Sequence, residues 1–199
     1  MHEAIGDPFM YIQEGFIPSK DNVILDIGAQ YGDYAMIWEK KYNCRVFSFE
    51  IAPENFAYLQ ENILINRSSV RGYNIAIGNG EEINFDFKES MSHKSNGGGG
   101  GGETFKTISL DDWIHDNNVM PDILKIDVEG VEYEVLQGAK QTITSLRPKI
   151  ILETHSKALR EKCDQFMKTC GYKLSIEGRT SYNASEVFDE VTNLFYLTD

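Results

Sequence analysis

The sequence contains no long hydrophobic run and few cysteines. No apolar stretch approaches the roughly 20 residues that a membrane-spanning helix requires, so no membrane partner is expected. The first residues, MHEAIGDPFMYIQEGF, lack the basic-then-apolar order of a secretory signal. The three cysteines, Cys44, Cys163 and Cys170, form no C-x-x-C pair, which argues against a zinc cage or a disulfide framework. These absences predict a cytoplasmic protein with reduced thiols.

Positive charge is also scarce. The chain has 19 Lys and Arg against 31 Asp and Glu, and its formal net charge is −12. Because affinity for a nucleic-acid backbone depends on clustered Lys and Arg, no nucleic-acid partner is expected. The length of 199 residues suits one domain with a sizeable core, so a single domain is predicted over residues 1–199.

Short apolar runs alternate with amphipathic stretches along most of the chain. The runs are VILDI (23–27), RVFSFE (45–50), VRGYNIAI (70–77), DILKIDV (122–128) and KIILET (149–154). Alternation of this kind predicts an α/β fold with right-handed crossovers and a mostly parallel sheet whose two faces are both covered. At the end of the chain, YKLSIEG (172–178) and NLFYLTD (193–199) predict an antiparallel strand pair at the sheet edge.

The segment 81–109 interrupts this alternation. EINFDF and TFKTISL predict two antiparallel strands, and the loop between them contains six consecutive glycines, 97–102. Residues 88–103 are therefore predicted to form a flexible loop, either a surface tip or a lid over a substrate cleft. Immediately afterwards, SLDDW predicts a helix start with Ser109 as its N-cap and Trp113 in the core.

A glycine-containing turn follows the first predicted strand, in VILDIGAQYGDYA. Gly28 and Gly32 suit the close backbone approach of a nucleotide-binding turn, but a G-x-G-x-x-G fingerprint would need glycine where Gln30 and Asp33 stand. Asp33 also places negative charge where a pyrophosphate would bind. S-adenosylmethionine, which has no phosphate, fits better. Asp26 is then expected to face its ammonium group, and the amides of residues 28–32 its carboxylate. A tight turn without a ligand is the alternative.

A second acid, Glu50, ends the next predicted strand. An acid at this position holds ribose hydroxyls in folds of this type, and a carboxylate accepts two such donors in a fork. The alternative is a surface strand end. Near the tip of the third strand, Asn74 and Ala76 are placed to approach the adenine edge, and Tyr31 to pack beside the methionine moiety. The alternatives are that Asn74 and Ala76 belong to the strand core and that Tyr31 is an exposed turn residue.

Several blocks of the sequence resemble the FkbM-type family of S-adenosylmethionine-dependent methyltransferases. They are DIGAQYGDYA, FEIAPENFAYLQENILIN, NIAIGN, TISLDDW, PDILKIDVEGVEYEVLQGA and RPKIILETH, which together cover most of residues 21–155. The resemblance implies a Rossmann-like class I methyltransferase fold, with a mostly parallel seven-stranded sheet and an antiparallel C-terminal strand pair. It also implies methyl transfer to a hydroxyl oxygen of a small molecule or a sugar.

The sequence departs from the family pattern in two places. The usual Glu-Pro is replaced by Glu50, Ile51, Ala52 and Pro53, so the turn after the second strand, and the adenine contacts with it, are expected to differ. The N-terminal cap segment, residues 1–20, is short. The residues predicted to bind the cofactor are Asp26, Gly28, Ala29, Tyr31, Gly32, Glu50, Ile51, Asn74, Ala76 and Asp127.

Polar groups follow the last two parallel strands. Asp127, Glu129, Glu153 and His155 stand at the carboxyl ends of these strands, where ligands of open α/β sheets bind, so they are expected to converge. A neutral alcohol is a poor nucleophile, and a general base must take its proton. Asp127, Glu129 and His155 are the predicted catalytic candidates.

Each of these polar residues also has a structural interpretation. His155 could instead be a structural residue that forms hydrogen bonds at the end of its strand. Glu129 could lie in the first turn of the following helix, where the helix dipole favours acids, and Lys125 could form an ion pair with one of the acids. A divalent metal is left open as a further alternative, since two or three oxygens and one imidazole from these residues suit Mg²⁺ or Mn²⁺.

Three other functions remain as alternatives to the methyltransferase. They are a nicotinamide dehydrogenase, a methyltransferase acting on nucleic acid, and a cofactor-binding protein without catalytic activity. The expected acceptor is a small molecule or carbohydrate, contacted by the N-terminal twenty residues, the glycine loop and residues 177–192.

Overall fold

The structure, a computed structural model, describes residues 11–85, 103–179 and 191–198. The first half of the predicted cap segment, nearly all of the predicted glycine loop and most of 177–192 lie outside these residues. The elements are β1 (Val23–Ile27), α1 (Asp33–Tyr42), β2 (Arg45–Phe49), α2 (Pro53–Ile65), β3 (Arg71–Tyr73), β4 (Ile77–Gly78), β5 (Glu82–Phe85), β6 (Glu103–Lys106), β7 (Ile108–Ser109), α3 (Leu110–Asn117), β8 (Ile123–Ile126), α4 (Glu132–Gly138), α5 (Lys140–Leu146), β9 (Lys149–Thr154), α6 (Lys157–Thr169), β10 (Lys173–Arg179) and β11 (Thr192–Leu197).

The main sheet has seven strands in the order β10-β11-β9-β8-β1-β2-β3. All neighbouring strands are parallel except β11, which runs antiparallel to both β9 and β10. The predicted α/β class, mostly parallel sheet and antiparallel final pair are confirmed. Within this pair β10 is the edge strand, because β11 is inserted between β10 and β9. The buried run TNLFYL of β11 fits an interior position.

The predicted third strand, VRGYNIAI, is divided. Its first part, β3, joins the main sheet, and its second part, β4, pairs with β7 in a separate two-stranded sheet. The chain leaves the main sheet at Asn74, whose side-chain amide donates hydrogen bonds to the carbonyls of Glu50 and Ile51. The predicted antiparallel pair in the segment 81–109 is confirmed as β5 and β6.

Apolar side chains of the central strands pack on both faces of the sheet, as their uninterrupted hydrophobicity predicts. On one face, Leu25 of β1 belongs to a cluster that includes Trp113 of α3. On the other face, Ile24 packs in a cluster with Phe16 and Trp38. The predictions for α3 hold, since Ser109 Oγ accepts the amide of Asp112 at 3.3 Å and Trp113 is buried.

The three cysteines are buried and have free thiols. In the three described ranges, no helix combines the length and the apolar character that a membrane span requires.

Candidate active site

Three strands of the main sheet, β1, β2 and β8, end at the same level, and β9 continues for two residues beyond it. Ile27 of β1 is in register with Phe49 of β2 and with Ile126 of β8, and Ile126 is in register with Leu152 of β9. The residues that follow these strand positions therefore meet along one edge of the sheet. This register, produced by apolar strands buried on both faces, positions the candidate site.

The turn after β1 requires its glycines. Gly28 has φ +80°, and a Cβ there would lie 1.6 Å from the carbonyl oxygen of Asp127. Gly32 has φ +83°, and a Cβ there would lie 2.3 Å from Leu59 Cδ1. Glycine is favoured at both positions because a side chain adds strain in the left-handed region and collides with a neighbour. Gly28 thereby lets the turn lie against the end of β8, and Gly32 lets it lie against α2.

Four of the five amides of residues 28–32 already have acceptors within the protein. Gly28 and Ala29 both donate to the carbonyl of Phe49, Gly32 donates to the carbonyl of Ala29, and Gln30 donates to Glu50 Oε2 at 2.8 Å. The sequence predicted that these amides would face a cofactor carboxylate. In this geometry the amides of Gly28, Ala29 and Gln30 tie the turn to the end of β2, and the amide of Gly32 closes the turn on itself.

Glu50 joins the two turns that flank it. Its Oε2 accepts the Gln30 amide and its Oε1 accepts the Ala52 amide, each at 2.8 Å. The residue is 6% exposed, and burial raises the pKa of its carboxyl although the two amides act in the opposite direction. Glu50 therefore stabilises the turns as well as being the candidate ribose acceptor.

The other predicted cofactor residues surround these turns. The Tyr31 ring packs edge-on against Tyr58, and its carbonyl accepts the side-chain amide of Asn62. Asn74 is exposed and holds the carbonyls of Glu50 and Ile51, while Ala29 and Ala76 are buried. No contact in the structure tests whether these residues bind a cofactor.

Asp26 forms an ion pair with Lys125. Lys125 Nζ lies 3.2 Å from Asp26 Oδ1, donates to the carbonyl of Gly28 at 2.7 Å and lies 3.6 Å from Asp127 Oδ2. Burial disfavours the Lys125 ammonium, but the charges of Asp26 and Asp127 outweigh it and raise its pKa. The structural alternative for Lys125 is thus confirmed. Asp26, which is 1% exposed, has a protein ammonium where the sequence predicted a cofactor ammonium.

The four polar residues beyond β8 and β9 converge on one imidazole nitrogen. His155 Nε2 lies 3.4 Å from Glu129 Oε2, 3.6 Å from Asp127 Oδ1 and 3.8 Å from Glu153 Oε1. Glu129 has φ +55° and precedes α4, so the alternative that placed it in the first helical turn is wrong. We call Asp127, Glu129, Glu153 and His155 the carboxylate–imidazole group.

Two contacts to this group were not predicted from the sequence. The Tyr11 hydroxyl donates to Glu153 Oε2 at 2.6 Å and to Asp127 Oδ2 at 3.1 Å. Glu132, which is fully buried, accepts the amide of Gly130 and lies 2.8 Å from His155 Nδ1 through the same oxygen. Tyr11 lies in a segment without periodicity, and Glu132 resembles any acid in the first turn of a helix, so neither carries a signal of its own.

Charge within the group shifts two pKa values. Burial opposes the imidazolium of His155, but the hydrogen bond to Glu132 and the charges of Glu132, Asp127 and Glu129 raise its pKa to about 10. Burial and the charge of Asp127 raise the pKa of Glu153 to about 7. In this structure His155 is therefore a cation at neutral pH and has no lone pair with which to take a proton, which favours a carboxylate as the base.

Comparison with protein families and curated proteins gives consistent matches. The family model for the methyltransferase FkbM domain matches residues 26–174. The hexuronic acid methyltransferase AglP of Haloferax volcanii is 34% identical over 143 residues, covering 69% of this chain and 57% of that protein. The 2-O-methyltransferase NoeI of Sinorhizobium fredii is 26% identical over 148 residues, covering 64% of this chain and 61% of that protein. This chain thus matches less than two thirds of the length of either relative.

Solved structures show the same fold. The methyltransferase FkbM of Methylobacillus flagellatus superposes with a TM-score of 0.68 at 19% identity, covering 95% of this chain and 47% of that chain. TYW2 of M. jannaschii, solved in complex with AdoMet, superposes with a TM-score of 0.54 at 13% identity, covering 100% of this chain and 79% of that chain. The predicted Rossmann-like methyltransferase fold is confirmed.

Proposed function

The chain belongs to the FkbM methyltransferase family, and from this we propose that it transfers the methyl group of S-adenosylmethionine to a hydroxyl oxygen of a small molecule or sugar. Two curated relatives support a sugar or related acceptor, since one is named for hexuronic acid and the other for 2-O-methylation. The observation on which the proposal mainly depends is the carboxylate–imidazole group beside the glycine turn.

The cofactor is proposed to lie across the ends of β1 and β2. Gly28 holds the turn close to the end of β8 and Gly32 holds it close to α2, and no side chain projects from either into the space above the turn. Glu50, at the end of β2, would accept the ribose hydroxyls with lone pairs left unused by the amides of Gln30 and Ala52 and by its hydrogen bond with the Asn55 side chain. A sulfonium cofactor is also electrostatically suited to a site that contains several carboxylates.

A carboxylate of the group is proposed to take the acceptor's proton. As the oxygen attacks the methyl carbon, the bond from that carbon to sulfur breaks, the new carbon–oxygen bond forms, and the hydroxyl proton passes to the base. Glu129 is the preferred base, because its side chain is 46% exposed whereas Asp127 is held by Tyr11 and lies beside Lys125. Alignment of oxygen, methyl and sulfur would supply much of the remaining acceleration.

Cytoplasmic residence and a partner set without nucleic acid stay predictions from the composition. So does the identity of the acceptor, because segments that the sequence favours for acceptor contacts lie partly outside the described residues.

Incubation with isotopically labelled S-adenosylmethionine and a library of hydroxyl compounds tests the proposal. We expect a methyl ether product, identified by mass, and one S-adenosylhomocysteine for each methyl transferred. Binding heat with S-adenosylhomocysteine but no product from any acceptor would favour the cofactor-binding alternative. Absence of both binding and product would contradict the proposal outright.

A further inference from the structure

We propose that Asp127, Glu153 and His155 form a binding site for a divalent metal ion within the carboxylate–imidazole group. The proposal deepens the methyl transfer proposed above, and it depends on that function only for the role of the ion. Each residue offers one ligand atom, and these three atoms lie within 4.8 Å of one another. They come from the adjacent ends of β8 and β9, which the register of the sheet holds together.

The spacing of these atoms suits a shared ion better than direct hydrogen bonds. His155 Nε2 lies 3.6 Å from Asp127 Oδ1 and 3.8 Å from Glu153 Oε1. A charge-assisted hydrogen bond between an imidazolium and a carboxylate is shorter, about 2.7–2.9 Å. Ligand atoms bonded to one ion at roughly 2.1–2.5 Å stand about 3–4 Å from one another. Both nitrogen–oxygen distances therefore fall in the range of neighbouring ligands around one ion.

Tyr11 binds one oxygen of Asp127 and one of Glu153, and the other oxygen of each carboxylate faces the proposed ion position. Its hydroxyl donates to Asp127 Oδ2 and to Glu153 Oε2, and Lys125 also lies on the Oδ2 side of Asp127. The opposite oxygens, Oδ1 and Oε1, are those that face His155 Nε2. The Glu153 side chain is 5% exposed, and among the described residues no donor hydrogen-bonds to its Oε1. An oxygen without a donor, on a carboxylate side chain that is otherwise nearly buried, favours a cation beside it.

Glu132 holds the imidazole of His155 through Nδ1, the nitrogen that does not face the proposed ion. His155 Nδ1 lies 2.8 Å from Glu132 Oε1, and that carboxylate is fully buried. A carboxylate that accepts the Nδ1 hydrogen orients the ring, and an ion bound at Nε2 would replace the proton there, as in histidines that bind metal ions. The nearest carboxylate oxygen to Nε2 is Glu129 Oε2 at 3.4 Å, which leaves space in front of the nitrogen.

Two carboxylate oxygens and one imidazole nitrogen form a mixed donor set, suited to Mn²⁺ or a similar first-row divalent ion. Three protein ligands leave coordination positions for water and for a substrate oxygen. In the proposed reaction the ion would bind the acceptor hydroxyl and lower the pKa of its proton, which would then pass to Glu129. The same ion would neutralise part of the negative charge that Asp127 and Glu153 bring together.

The test is a titration of the full chain with Mn²⁺ in the absence of cofactor. Electron paramagnetic resonance measures the concentration of free Mn²⁺ at each step. We expect one saturable site in the wild type. Asp127→Asn and Glu153→Gln keep the size and the Tyr11 contact of each side chain, and each is expected to weaken Mn²⁺ binding by about tenfold or more. The matched controls are Asp116→Asn and His115→Ala, an exposed acid and imidazole 3.1 Å apart, which are expected to bind Mn²⁺ as the wild type does.

Circular dichroism and thermal melting establish that each variant is folded. No saturable Mn²⁺ binding by the wild type, or equal affinity in the wild type and both site variants, would overturn the metal site. Calorimetry with S-adenosylhomocysteine in the presence of a chelator is run in parallel. If S-adenosylhomocysteine gives binding heat but Mn²⁺ does not bind, only the metal site is rejected. If Mn²⁺ binds but S-adenosylhomocysteine gives no binding heat, the metal site is supported and the proposed function is rejected.

Discussion

The hydroxyl of Tyr11 donates a hydrogen bond of 2.6 Å to Glu153 Oε2, although 142 positions separate the two residues. The same hydroxyl reaches Asp127, so a residue near the start of the chain holds together two acids at the ends of β8 and β9. Tyr11 is 2% exposed, and this contact is therefore made in the interior. Part of the segment that the sequence assigned to a cap over the substrate is thus a structural component of the candidate site.

Tyr11→Phe keeps the buried ring and removes the only donor that Glu153 Oε2 has among the described residues. A hydrogen bond to a charged group contributes about 1.5–3 kcal/mol, so we expect the free energy of unfolding to fall by roughly that amount. Because this hydrogen bond lowers the pKa of Glu153, its loss should raise that pKa further. Urea unfolding at neutral pH measures the first effect.

The control for Tyr11 is Tyr58→Phe, which changes an exposed tyrosine that packs against Tyr31. Its effect on the free energy of unfolding is expected to stay within about 0.5 kcal/mol. Equal stability of Tyr11→Phe and Tyr58→Phe would show that the hydrogen bonds of Tyr11 contribute nothing to the fold.

Most of the fold was predictable because the strands are apolar and locally distinct. The central strands β1, β8 and β9 are buried along almost their whole length, and their hydrophobic runs identify them directly. The position of β11 inside the sheet and the division of VRGYNIAI were not predictable in the same way. The position of β11 depends on which strand edges pair during folding. The division of VRGYNIAI depends on a side-chain contact at Asn74. Neither depends on local propensity.

The site was predictable where residues follow strands and unpredictable where they do not. Asp127, Glu153 and His155 follow β8 and β9 or end them, so parallel alignment alone brings them together. Tyr11 and Glu132 reach the same place through long-range packing, which no spacing in the sequence encodes. The electrostatic state of His155 was missed for the same reason, since its partner Glu132 was not identified.

Glu129→Gln tests the proposed base. The amide cannot accept a proton, so kcat should fall by about 10²–10⁴-fold, the usual contribution of general base catalysis. The affinity for S-adenosylhomocysteine should be unchanged, because Glu129 is not among the predicted cofactor residues. Steady-state kinetics and calorimetry measure the two quantities, with the exposed Glu161→Gln as the control. Full activity of Glu129→Gln would assign the proton transfer to another carboxylate.

Glu50→Gln separates the structural role of Glu50 from the proposed ribose contact. Gln keeps one acceptor but turns an amide donor toward Gln30 N or Ala52 N, so stability should fall by about 1–3 kcal/mol. Loss of a ribose hydrogen bond should also weaken S-adenosylhomocysteine binding by about tenfold or more. The exposed Glu54→Gln on α2 is the control. Lower stability with unchanged affinity would leave Glu50 only its structural role.

Glu132→Gln tests the charge state of His155 in metal-free protein. The hydrogen bond and charge of Glu132 hold the pKa of His155 at about 10, so the variant's His155 should titrate at lower pH. A raised pKa stabilises the fold fully below the unfolded value of about 6.5, and this contribution disappears as pH rises through the folded value. The stability difference between wild type and variant should therefore be largest near pH 6 and shrink toward about pH 10.

The measurement for Glu132 is imidazole NMR in the presence of a chelator, supported by urea unfolding across the same pH range. Glu134→Gln lies on the same helix, where the acid is near Lys162 instead of His155, and is expected to leave the His155 titration unchanged. An identical His155 titration in the wild type and Glu132→Gln would show that Glu132 does not set the charge of the imidazole.

Gly28→Ala tests whether the turn must lie against β8. The new methyl carbon would stand 1.6 Å from the carbonyl oxygen of Asp127, so the turn has to move away and take with it the Gly28 carbonyl that Lys125 binds. Gly80→Ala is the matched control, because Gly80 also has a positive φ, +90°, but a Cβ there meets no atom within 4 Å. Both variants carry backbone strain of about 1 kcal/mol or more, and only Gly28→Ala adds the collision. We expect a clearly larger drop in Tm for Gly28→Ala, together with loss of S-adenosylhomocysteine binding by calorimetry. Equal Tm values and retained binding in both variants would mean that the turn tolerates displacement, and that its contact with β8 does not position the cofactor.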